Sequence, residues 1–449
     1  MAQLGESAFV AVEPEEPKED EQQEEKSVKI RFSLFFDGTC NNRINTDQRV
    51  KSIDLNIPEE ERKKAQEIFE KYKSSASYEN DYTNVAKMEK YVKTGNKIDD
   101  DKVYDITLKT YVEGPGTEDY EGDSKLGYGL GMGPTGVREK VKSGLKSVIN
   151  KISKSHQDKA TTIELLTLDV FGFSRGAAGA RNFIYEAING DKLEPVKVEL
   201  EKLGYQLDKV EVDFAGLYDT VSSHGFMYYN DVSDLKLRAV SHAKRTIHLA
   251  AADEHRKNFS LTTIQSAKAS TRREIFLPGV HSDIGGSYVD NAKEEQIIFY
   301  GSERAAIEDR KQLIASGWYQ EHELTLIPIP SVDLYSPAMA MLEAKRASLS
   351  NQYARIPLHV MVDFAQENSI VIRPKIQRDE EIPSDLSDIH TTIDSYAKKT
   401  RSSKVTDWHH NSDELKALRN KYLHFSAKCE FGLAPRFKDG RRYRKEYAG

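Results

Sequence analysis

The sequence predicts an α/β fold, built on a doubly wound and mostly parallel sheet. Apolar runs typical of buried strands alternate with amphipathic helical patterns over roughly 250 residues, an order that favours a parallel sheet. One of these strands runs directly into Gly172-Phe-Ser-Arg-Gly176, and a helix rich in small residues follows. A serine held between a strand and a helix in this way is typical of an exposed nucleophile.

The composition excludes several classes of protein. The chain has 449 residues and a net charge of −7, enough for one large domain but too acidic to favour nucleic acid as a partner. No apolar run reaches the ~20 residues that would cross a bilayer. The N-terminus lacks the pattern of a signal peptide, so we expect a cytoplasmic protein in the producing cell. Two cysteines, Cys40 and Cys429, are too few for a disulfide framework or a structural zinc site.

The N-terminal part divides into a tail, a strand and an insertion. Residues 1–26 are strongly acidic and poor in apolar groups, which predicts a disordered tail. A first strand is expected over Lys29–Phe36, ending in the turn-forming residues Asp37–Asn42. Residues 46–100 form a polar insertion with two expected helices, over 59–73 and 83–94.

The remaining elements complete the expected catalytic core over residues 27–300. A second insertion, at 120–135, carries four closely spaced glycines. Period-2 runs predict strands and 3–4 spacing predicts helices. The expected strands are 104–113, 164–171, 210–217 and 274–277, and the expected helices are 137–154, 176–188 and 235–252. Residues 301–449 are expected to be a helical and irregular region packed on the core, without a second clear sheet.

Ser174 is the predicted nucleophile. The turn from strand to helix strains the serine backbone and leaves room only for small neighbours, which Gly172 and Gly176 provide. The backbone N–H of Arg175 would lie at a helix N-terminus, where it can stabilise an oxyanion. This arrangement predicts an α/β-hydrolase-like sheet.

The nucleophile needs a base and an orienting acid. In this fold class the acid and then the histidine follow the serine along the chain. Asp219 follows the apolar run Val212–Leu217, and His281 lies in a Pro- and Gly-containing loop after the strand at 274–277. We therefore predict a triad of Ser174, Asp219 and His281.

Other residues are alternatives for the base and the acid. His224 is the main rival for the base, whereas the other histidines have contexts of surface or core residues: His242, His248, His255, His409 and His410. Asp253 and Asp283 are the fallback acids.

The second oxyanion donor should come from a loop beside the nucleophile. Asp37 and Gly38 are the candidates, because they follow the first strand. Asp37 is equally compatible with a turn-capping role and no part in catalysis. No metal and no cofactor are expected. His281 and Asp283 are too few for a metal site, and the Gly127–Gly133 loop lacks the Lys-Ser/Thr of a phosphate-binding loop.

Four ordered motifs resemble one known family, the first family of type VI secretion lipase effectors. The resemblance spans about residues 28–445 and rests on Phe35–Asn42, Phe171–Ala177, Gly216–Val221 and Phe276–Gly286, with Asp439–Arg442 near the end. It implies an antibacterial phospholipase with an α/β-hydrolase domain. The family's nucleophile, acid and base match Ser174, Asp219 and His281.

The resemblance also implies a substrate and partners. We expect an A-type phospholipase that hydrolyses acyl esters of membrane phospholipids and contacts the membrane at its interface without spanning it. Phe226–Tyr229 could line an acyl site or touch lipid, although ordinary core packing is the simpler interpretation. A secretion spike protein, an adaptor chaperone and an immunity protein are implied, with delivery to the target-cell periplasm. The alternatives are a hydrolase of small soluble esters and a noncatalytic interaction protein on a hydrolase scaffold.

Overall fold

The structure is a computed structural model that describes residues 26–98, 103–124, 133–222, 231–330, 337–399 and 412–449. Some sequence-based expectations lie outside these residues. They are the acidic tail up to residue 25, the glycines at 127, 129 and 131, and the side chains His224, Phe226–Tyr229, His409 and His410.

The strands alternate with helices through the first two thirds of the chain. The strands are β1 (Ser27–Phe36), β2 (Gly95–Asn96), β3 (Ile106–Val112), β4 (Thr162–Phe173), β5 (Leu207–Tyr218), β6 (Ala243–Ala251), β7 (Leu261–Thr262), β8 (Arg272–Leu277), β9 (Ala292–Ser302), β10 (Leu324–Ile329), β11 (Met339–Leu349), β12 (Phe437–Lys438), β13 (Arg441–Arg442) and β14 (Glu446–Tyr447).

The helices lie mostly between the strands of the first sheet and in the C-terminal third. They are α1 (Arg43–Ile53), α2 (Glu59–Tyr72), α3 (Ala76–Glu79), α4 (Asn84–Tyr91), α5 (Val137–Ser155), α6 (Arg175–Ile188), α7 (Val196–Lys202), α8 (His281–Gly285), α9 (Glu303–Ala315), α10 (Arg355–Glu367), α11 (Lys375–Asp379), α12 (Ser387–Lys399) and α13 (Asp413–Lys421). Short 3-10 helices occur at Leu237–His242, Glu321–Glu323, Gln352–Ala354 and Ser384–Leu386.

The main sheet has the strand order β2-β3-β1-β4-β5-β6-β8. All neighbouring pairs are parallel except the pair formed by the short edge strand β2. The carboxyl ends of the parallel strands therefore meet at one edge of the sheet, where α/β proteins place their sites. Strands β4 and β5 end level with each other at this edge, since their last residues, Phe173 and Tyr218, are paired. The predicted α/β fold is confirmed.

Alternating side chains of β1 place the core on both faces of the sheet. Phe35 stacks on Phe171 with ring centroids 4.8 Å apart on one face, within a cluster that reaches into the C-terminal third of the chain. Leu34 and Phe36 pack on the opposite face with residues of α5 and α6. The sheet is covered on both sides, which is why its strands are nearly continuous in apolar residues.

Two expectations about secondary structure are wrong. The helix expected over 235–252 is a 3-10 helix (Leu237–His242) followed by strand β6. The C-terminal part, expected without a clear sheet, contains the antiparallel three-stranded sheet β10-β11-β9. Both errors have one cause. β6 and β11 each contain three alanines, which favour helices in isolation, but their pairing with neighbouring strands overrides that preference.

The C-terminal end of the chain forms a hairpin and then a short parallel pair of strands. A hairpin of β12 and β13 turns at Asp439 and Gly440, which have φ values of 50° and 71°. The last strand, β14, pairs in parallel with β7. The segment from Arg441 to Gly449 therefore lies against the loops that follow the main sheet.

Candidate active site

Ser174 occupies a sharp turn between β4 and α6. Its φ of 58° and ψ of −127° are unusual for a residue with a Cβ, and such conformations cost about 1–3 kcal/mol. Backbone hydrogen bonds hold the turn, with the Ser174 N–H donating to Tyr218 O at 3.0 Å and the Val221 N–H donating to Ser174 O at 3.3 Å. The neighbouring strand β5 thus holds the strained serine in place.

Only glycine fits at the two glycine positions of the motif, because neighbouring atoms leave no room for a Cβ. A Cβ on Gly172 would lie 2.6 Å from Ala177 Cα, and a Cβ on Gly176 would lie 2.1 Å from Asp37 O. Both distances are well below van der Waals contact. Larger residues would therefore push α6 away from β4 or from the turn after β1, and either shift would move Ser174.

Asp219 and His281 form a buried hydrogen-bonded pair. Asp219 follows β5 directly, one position beyond the Phe173–Tyr218 pair of the ladder, which places it level with Ser174. His281 begins α8 after β8. The Nδ1 of His281 and Oδ2 of Asp219 are 2.5 Å apart. Since Nδ1 is used in this bond, Nε2 is the ring nitrogen left to exchange a proton.

The Asp219 carboxylate has further partners. The Ala251 N–H donates to Oδ1 at 2.9 Å, and Arg444 donates to Oδ1 at 2.6 Å and to Oδ2 at 2.8 Å. Burial alone would raise the pKa of Asp219, but the Arg444 guanidinium and the hydrogen bond from His281 outweigh it and hold the pKa well below its ordinary value. Asp219 is therefore an anion at any pH where the protein works.

Apolar rings and a second ion pair surround His281. Its ring centroid is 4.6 Å from that of Phe173 and 5.0 Å from that of Phe259. Its backbone N–H donates to Glu254 at 3.3 Å, and Glu254 binds Arg256. Burial lowers the pKa of His281, and the Asp219 carboxylate only partly opposes it. The imidazole is thus uncharged near neutral pH and able to accept a proton.

Ser174 and His281 line one cavity of about 420 Å³ together with Thr39 and Arg175. Ser174 makes no hydrogen bond to His281 within the described part of the chain; in resting enzymes this bond is often long and tightens when substrate is bound. The cavity walls combine amide side chains with apolar ones: Asn41, Asn80, Asn258, Phe173, Val221, Phe259, Phe431 and Leu433.

The two residues predicted as second oxyanion donors are engaged elsewhere. The Asp37 N–H donates to Val112 O at 2.9 Å, and the Gly38 N–H donates to the Asp37 carboxylate at 2.7 Å. That carboxylate also accepts from Thr83 and Tyr111. Burial raises the pKa of Asp37 to about 6. This geometry matches the turn-capping alternative for Asp37, and it leaves neither N–H group for an oxyanion.

The rival bases and acids that the structure describes are bound elsewhere. His248 lies on β6, bonds Glu274 and accepts from the Thr220 N–H at 3.0 Å. Asp253 accepts from the Gly279 N–H and from Arg419. Asp283 accepts from the Val280 N–H and bonds His424. None of these three side chains has a hydrogen bond to His281 in the described ranges.

Three residues of the site carry no signal in the local sequence. Glu254 and Arg256 support His281 from the loop after β6, and Arg444 reaches Asp219 from the C-terminal segment. The one available hint was Asp439-Gly440, since Asp-Gly is typical of two-residue hairpin turns with positive φ. That signal predicts a hairpin near Arg444 but not the contact that Arg444 makes.

The described residues contain neither a cluster of metal ligands nor a membrane-spanning helix. Over the residues that the structure describes, no group of three or more His, Cys, Asp and Glu side chains could hold a metal ion. Within the same ranges, no helix is both long and apolar enough to cross a bilayer.

Comparison with known proteins agrees with the motifs. Residues 191–307 match the family model of the type VI secretion (T6SS) phospholipase effector Tle1-like, catalytic domain. The match includes Asp219 and His281. No curated protein matches the sequence. The expected resemblance to type VI secretion lipase effectors is confirmed over residues 191–307, and it supports the expected class of a lipolytic hydrolase.

Two solved structures align with this chain. The Tle1 effector bound to the VgrG spike from the type 6 secretion system aligns with a TM-score of 0.62 and 24% identity, covering 90% of this chain and 85% of that chain. An uncharacterized protein from Pseudomonas aeruginosa aligns with a TM-score of 0.43 and 18% identity, covering 84% of this chain and 51% of that chain. The first alignment confirms the fold.

Proposed function

Starting from this family match, we propose that the chain is an A-type serine phospholipase that hydrolyses acyl esters of membrane phospholipids. The observation that carries the proposal is the meeting of three strand ends. Ser174 lies in a strained turn after β4, and the bonded pair of Asp219 and His281 follows β5 and β8. Ser174 and His281 line the same cavity.

The reaction is acyl transfer to the serine, then to water. His281 Nε2 takes the proton of the Ser174 hydroxyl as its oxygen attacks the ester carbonyl. Asp219, bonded to Nδ1, holds the imidazole in the required tautomer and stabilises its charged form. The imidazolium returns the proton to the leaving lysophospholipid oxygen. Water then attacks the acyl-enzyme by the reverse sequence and releases a fatty acid.

The oxyanion is held by backbone N–H groups at two strand ends. Arg175 begins α6 beside the nucleophile and lines the cavity. We assign the second donor to Thr39, because Asp37 and Gly38 use their N–H groups internally. Thr39 lines the cavity, its N–H makes no hydrogen bond in the described part of the chain, and its Oγ1 accepts from Arg175 at 2.7 Å. One such donor is worth about 3 kcal/mol in the transition state.

The surroundings of the cavity favour a lipid substrate. Apolar side chains form much of the wall around Ser174. Phe431 lies at this wall and is 91% exposed, although a phenyl ring is stabilised when it leaves water. Interfacial contact through Phe431 would bring an acyl ester to the cavity. Phe226–Tyr229, the earlier candidate for this contact, lies outside the described residues.

Delivery and partners follow from the resemblance. The Tle1 structure is a complex with the VgrG spike, and we propose an equivalent spike partner for this chain. An adaptor chaperone, an immunity protein and action in the target-cell periplasm complete the proposal.

The test is lipid product analysis by mass spectrometry. The protein is incubated with vesicles of phosphatidylethanolamine and phosphatidylglycerol, and with a short-chain soluble ester. We expect equal amounts of fatty acid and lysophospholipid, and a loss of at least about a thousandfold in Ser174→Ala. Ser282→Ala is the matched control, since it removes another hydroxyl from the same cavity wall and should keep most of the activity.

Each alternative function has its own outcome in this experiment. Turnover of the soluble ester without vesicle hydrolysis would identify a hydrolase of small esters. Full toxicity of Ser174→Ala, together with no hydrolysis of either substrate by the wild type, would favour the noncatalytic alternative. Release of phosphorylated head groups instead of fatty acid would contradict acyl ester cleavage.

A further inference from the structure

Arg444 binds the acid of the proposed triad in a fork. Its two terminal nitrogens donate to the two oxygens of Asp219, at 2.6 and 2.8 Å, and both side chains are buried. A guanidinium and a carboxylate paired in this way form one of the strongest and most directional polar contacts in proteins. A lysine cannot reproduce the two parallel bonds.

The backbone around Arg444 is fixed on the same side of the sheet. The Nε of Arg444 donates to Phe259 O at 2.7 Å, so all three nitrogen positions of the side chain are used. The next residue, Lys445, accepts from the Leu261 N–H at 2.9 Å, and β14 then pairs with β7. The guanidinium is therefore presented by a paired segment and does not sample the surface.

The Asp219 carboxylate is saturated by these contacts. It accepts from His281, from the Ala251 N–H and twice from Arg444. Without Arg444, two of these hydrogen bonds are lost, and the buried anion keeps only His281 and the Ala251 N–H as partners. Besides His281, one backbone N–H would then set the orientation of the Asp219 carboxylate. The full negative charge of that carboxylate would favour the charged form of the His281 ring.

We propose that Arg444 is a positioning residue of the hydrolytic site, which fixes the Asp219 carboxylate against His281 and keeps the resting imidazole uncharged. The inference rests on the proposed triad. Arg444 touches neither the nucleophile nor the substrate cavity, so it acts through Asp219. The C-terminal segment thereby becomes part of the active site, although it is 225 residues from Asp219 in sequence.

Two other charged residues near His281, Glu254 and Arg256, form an ion pair with each other. Glu254 accepts the backbone N–H of His281, and Arg256 pairs with Glu254 at 2.8 Å. The Arg256 charge lowers the pKa of His281, while Glu254 raises it. Arg175, at the start of α6, lines the same cavity as His281. Arg444 is the cation bonded to Asp219, so its removal increases the net negative charge that the imidazole ring faces.

The experiment is the pH dependence of kcat/KM with a short-chain soluble ester, for the full chain and three variants. Activity requires an uncharged His281 ring. The value of kcat/KM therefore decreases when the pH is lowered below the pKa of that ring. Arg444→Met should raise this pKa and move the acidic limb upward by about one pH unit, with kcat/KM at pH 7 reduced at least about tenfold. Arg444→Lys keeps the charge but loses the fork. It should lower kcat and leave the limb within about 0.3 units of the wild type.

Arg442→Met is the matched control. Arg442 comes from the same segment and makes an equally buried fork, with Asp309 at 3.0 and 2.6 Å, but it does not contact Asp219. Its loss should lower the melting temperature and leave the acidic limb in place. An unmoved limb in folded Arg444→Met, or equal shifts in Arg442→Met, would overturn the proposal.

The variants distinguish a protein that fails to fold from a triad that is wrongly assigned. If Arg444→Met does not fold, Arg444→Lys decides, because a limb that moves upward despite the retained charge contradicts the proposed effect. Full ester turnover by Ser174→Ala would refute the triad itself. Loss of turnover in Ser174→Ala together with an unmoved limb in Arg444→Met would refute the role of Arg444 alone.

Discussion

Strained backbone occurs at two of the three proposed triad residues. Ser174 has a φ of 58° and Asp219 a φ of 41°, a region that residues other than glycine rarely adopt. Both residues come directly after the end of a parallel strand, where the chain must turn away from the sheet. The turn at Ser174 directs the serine hydroxyl into the cavity, and the turn at Asp219 directs the carboxylate toward α8. The strained backbone conformation therefore orients both side chains for the proposed site.

Replacing Ser174 tests how much strain the nucleophile stores. Ser174→Gly relieves the strain, whereas Ser174→Ala removes the same hydroxyl but keeps a Cβ at φ 58°. We expect the glycine variant to have a free energy of unfolding about 1 kcal/mol higher than the alanine variant. Both should be inactive. Urea unfolding measures the difference, and an alanine variant as stable as the glycine variant would mean that the turn is relaxed.

At the scale of elements, the site exists because parallel strands end together. β4, β5 and β8 carry Ser174, Asp219 and His281 just past their carboxyl ends, although the three residues are far apart in the chain. Their positions after strands could be predicted, since apolar runs bounded by Gly, Pro and Asp are visible in the sequence. The assignment of 235–252 to a helix could not be corrected from sequence, because short buried strands and helices share the same composition.

The loop after β6 and the C-terminal segment meet at His255. Its Nδ1–H donates to Asp253 O at 2.8 Å, and its Nε2 accepts from Arg442 at 3.3 Å. Burial, and then the charge of Arg442, lower the pKa of His255 to about 4. A charged imidazole would face the Arg442 guanidinium, so the folded protein holds this ring uncharged.

Mild acid should therefore loosen this contact between the two elements. The unfolded chain binds a proton at the ordinary pKa near 6.5, so between about pH 6.5 and 4 it carries more protons than the folded chain, and stability falls as the pH falls. From pH 7 to 5 the wild type should lose about 2 kcal/mol more than His255→Gln, which cannot titrate. Urea unfolding at both pH values checks this. Parallel losses in the two proteins would show that His255 titrates normally.

At the scale of the whole molecule, the cavity lined by Ser174 and His281 opens beside an exposed aromatic ring. The loop that carries Phe431 is held on both sides, with the Cys429 N–H donating to Ile297 O at 2.7 Å and the Asn258 N–H donating to Gly432 O at 3.2 Å. A fixed loop that exposes one phenyl ring loses little conformational freedom on meeting a bilayer. Phe431 is therefore suited to interfacial contact.

Phe431→Ser should separate interfacial binding from chemistry. We expect vesicle binding and vesicle hydrolysis to fall about thirtyfold, because a buried phenyl ring contributes about 2 kcal/mol. Turnover of a soluble ester should stay unchanged. Leu55→Ser is the control, since Leu55 is 81% exposed and lies outside the cavity wall. Vesicle flotation and product analysis measure both effects, and an equal loss on the soluble ester would place Phe431 in the cavity chemistry.

The sequence by itself determined the α/β class, the Gly-x-Ser-x-Gly turn and the candidates Asp219 and His281. Each depends on local chemistry: apolar periodicity, small residues around a strained serine, and polar residues directly after strands. These signals need only a few neighbouring residues, so they can be recognised without knowing where the rest of the chain lies.

Only the tertiary structure decided which groups complete the site. It showed that the N–H groups of Asp37 and Gly38 are already bonded, that Glu254 holds the backbone of His281, and that Arg444 binds Asp219. The physical reason is that these contacts join segments distant in sequence. An arginine near the end of the chain has no local feature that distinguishes it from a solvated surface charge until folding buries it against a carboxylate.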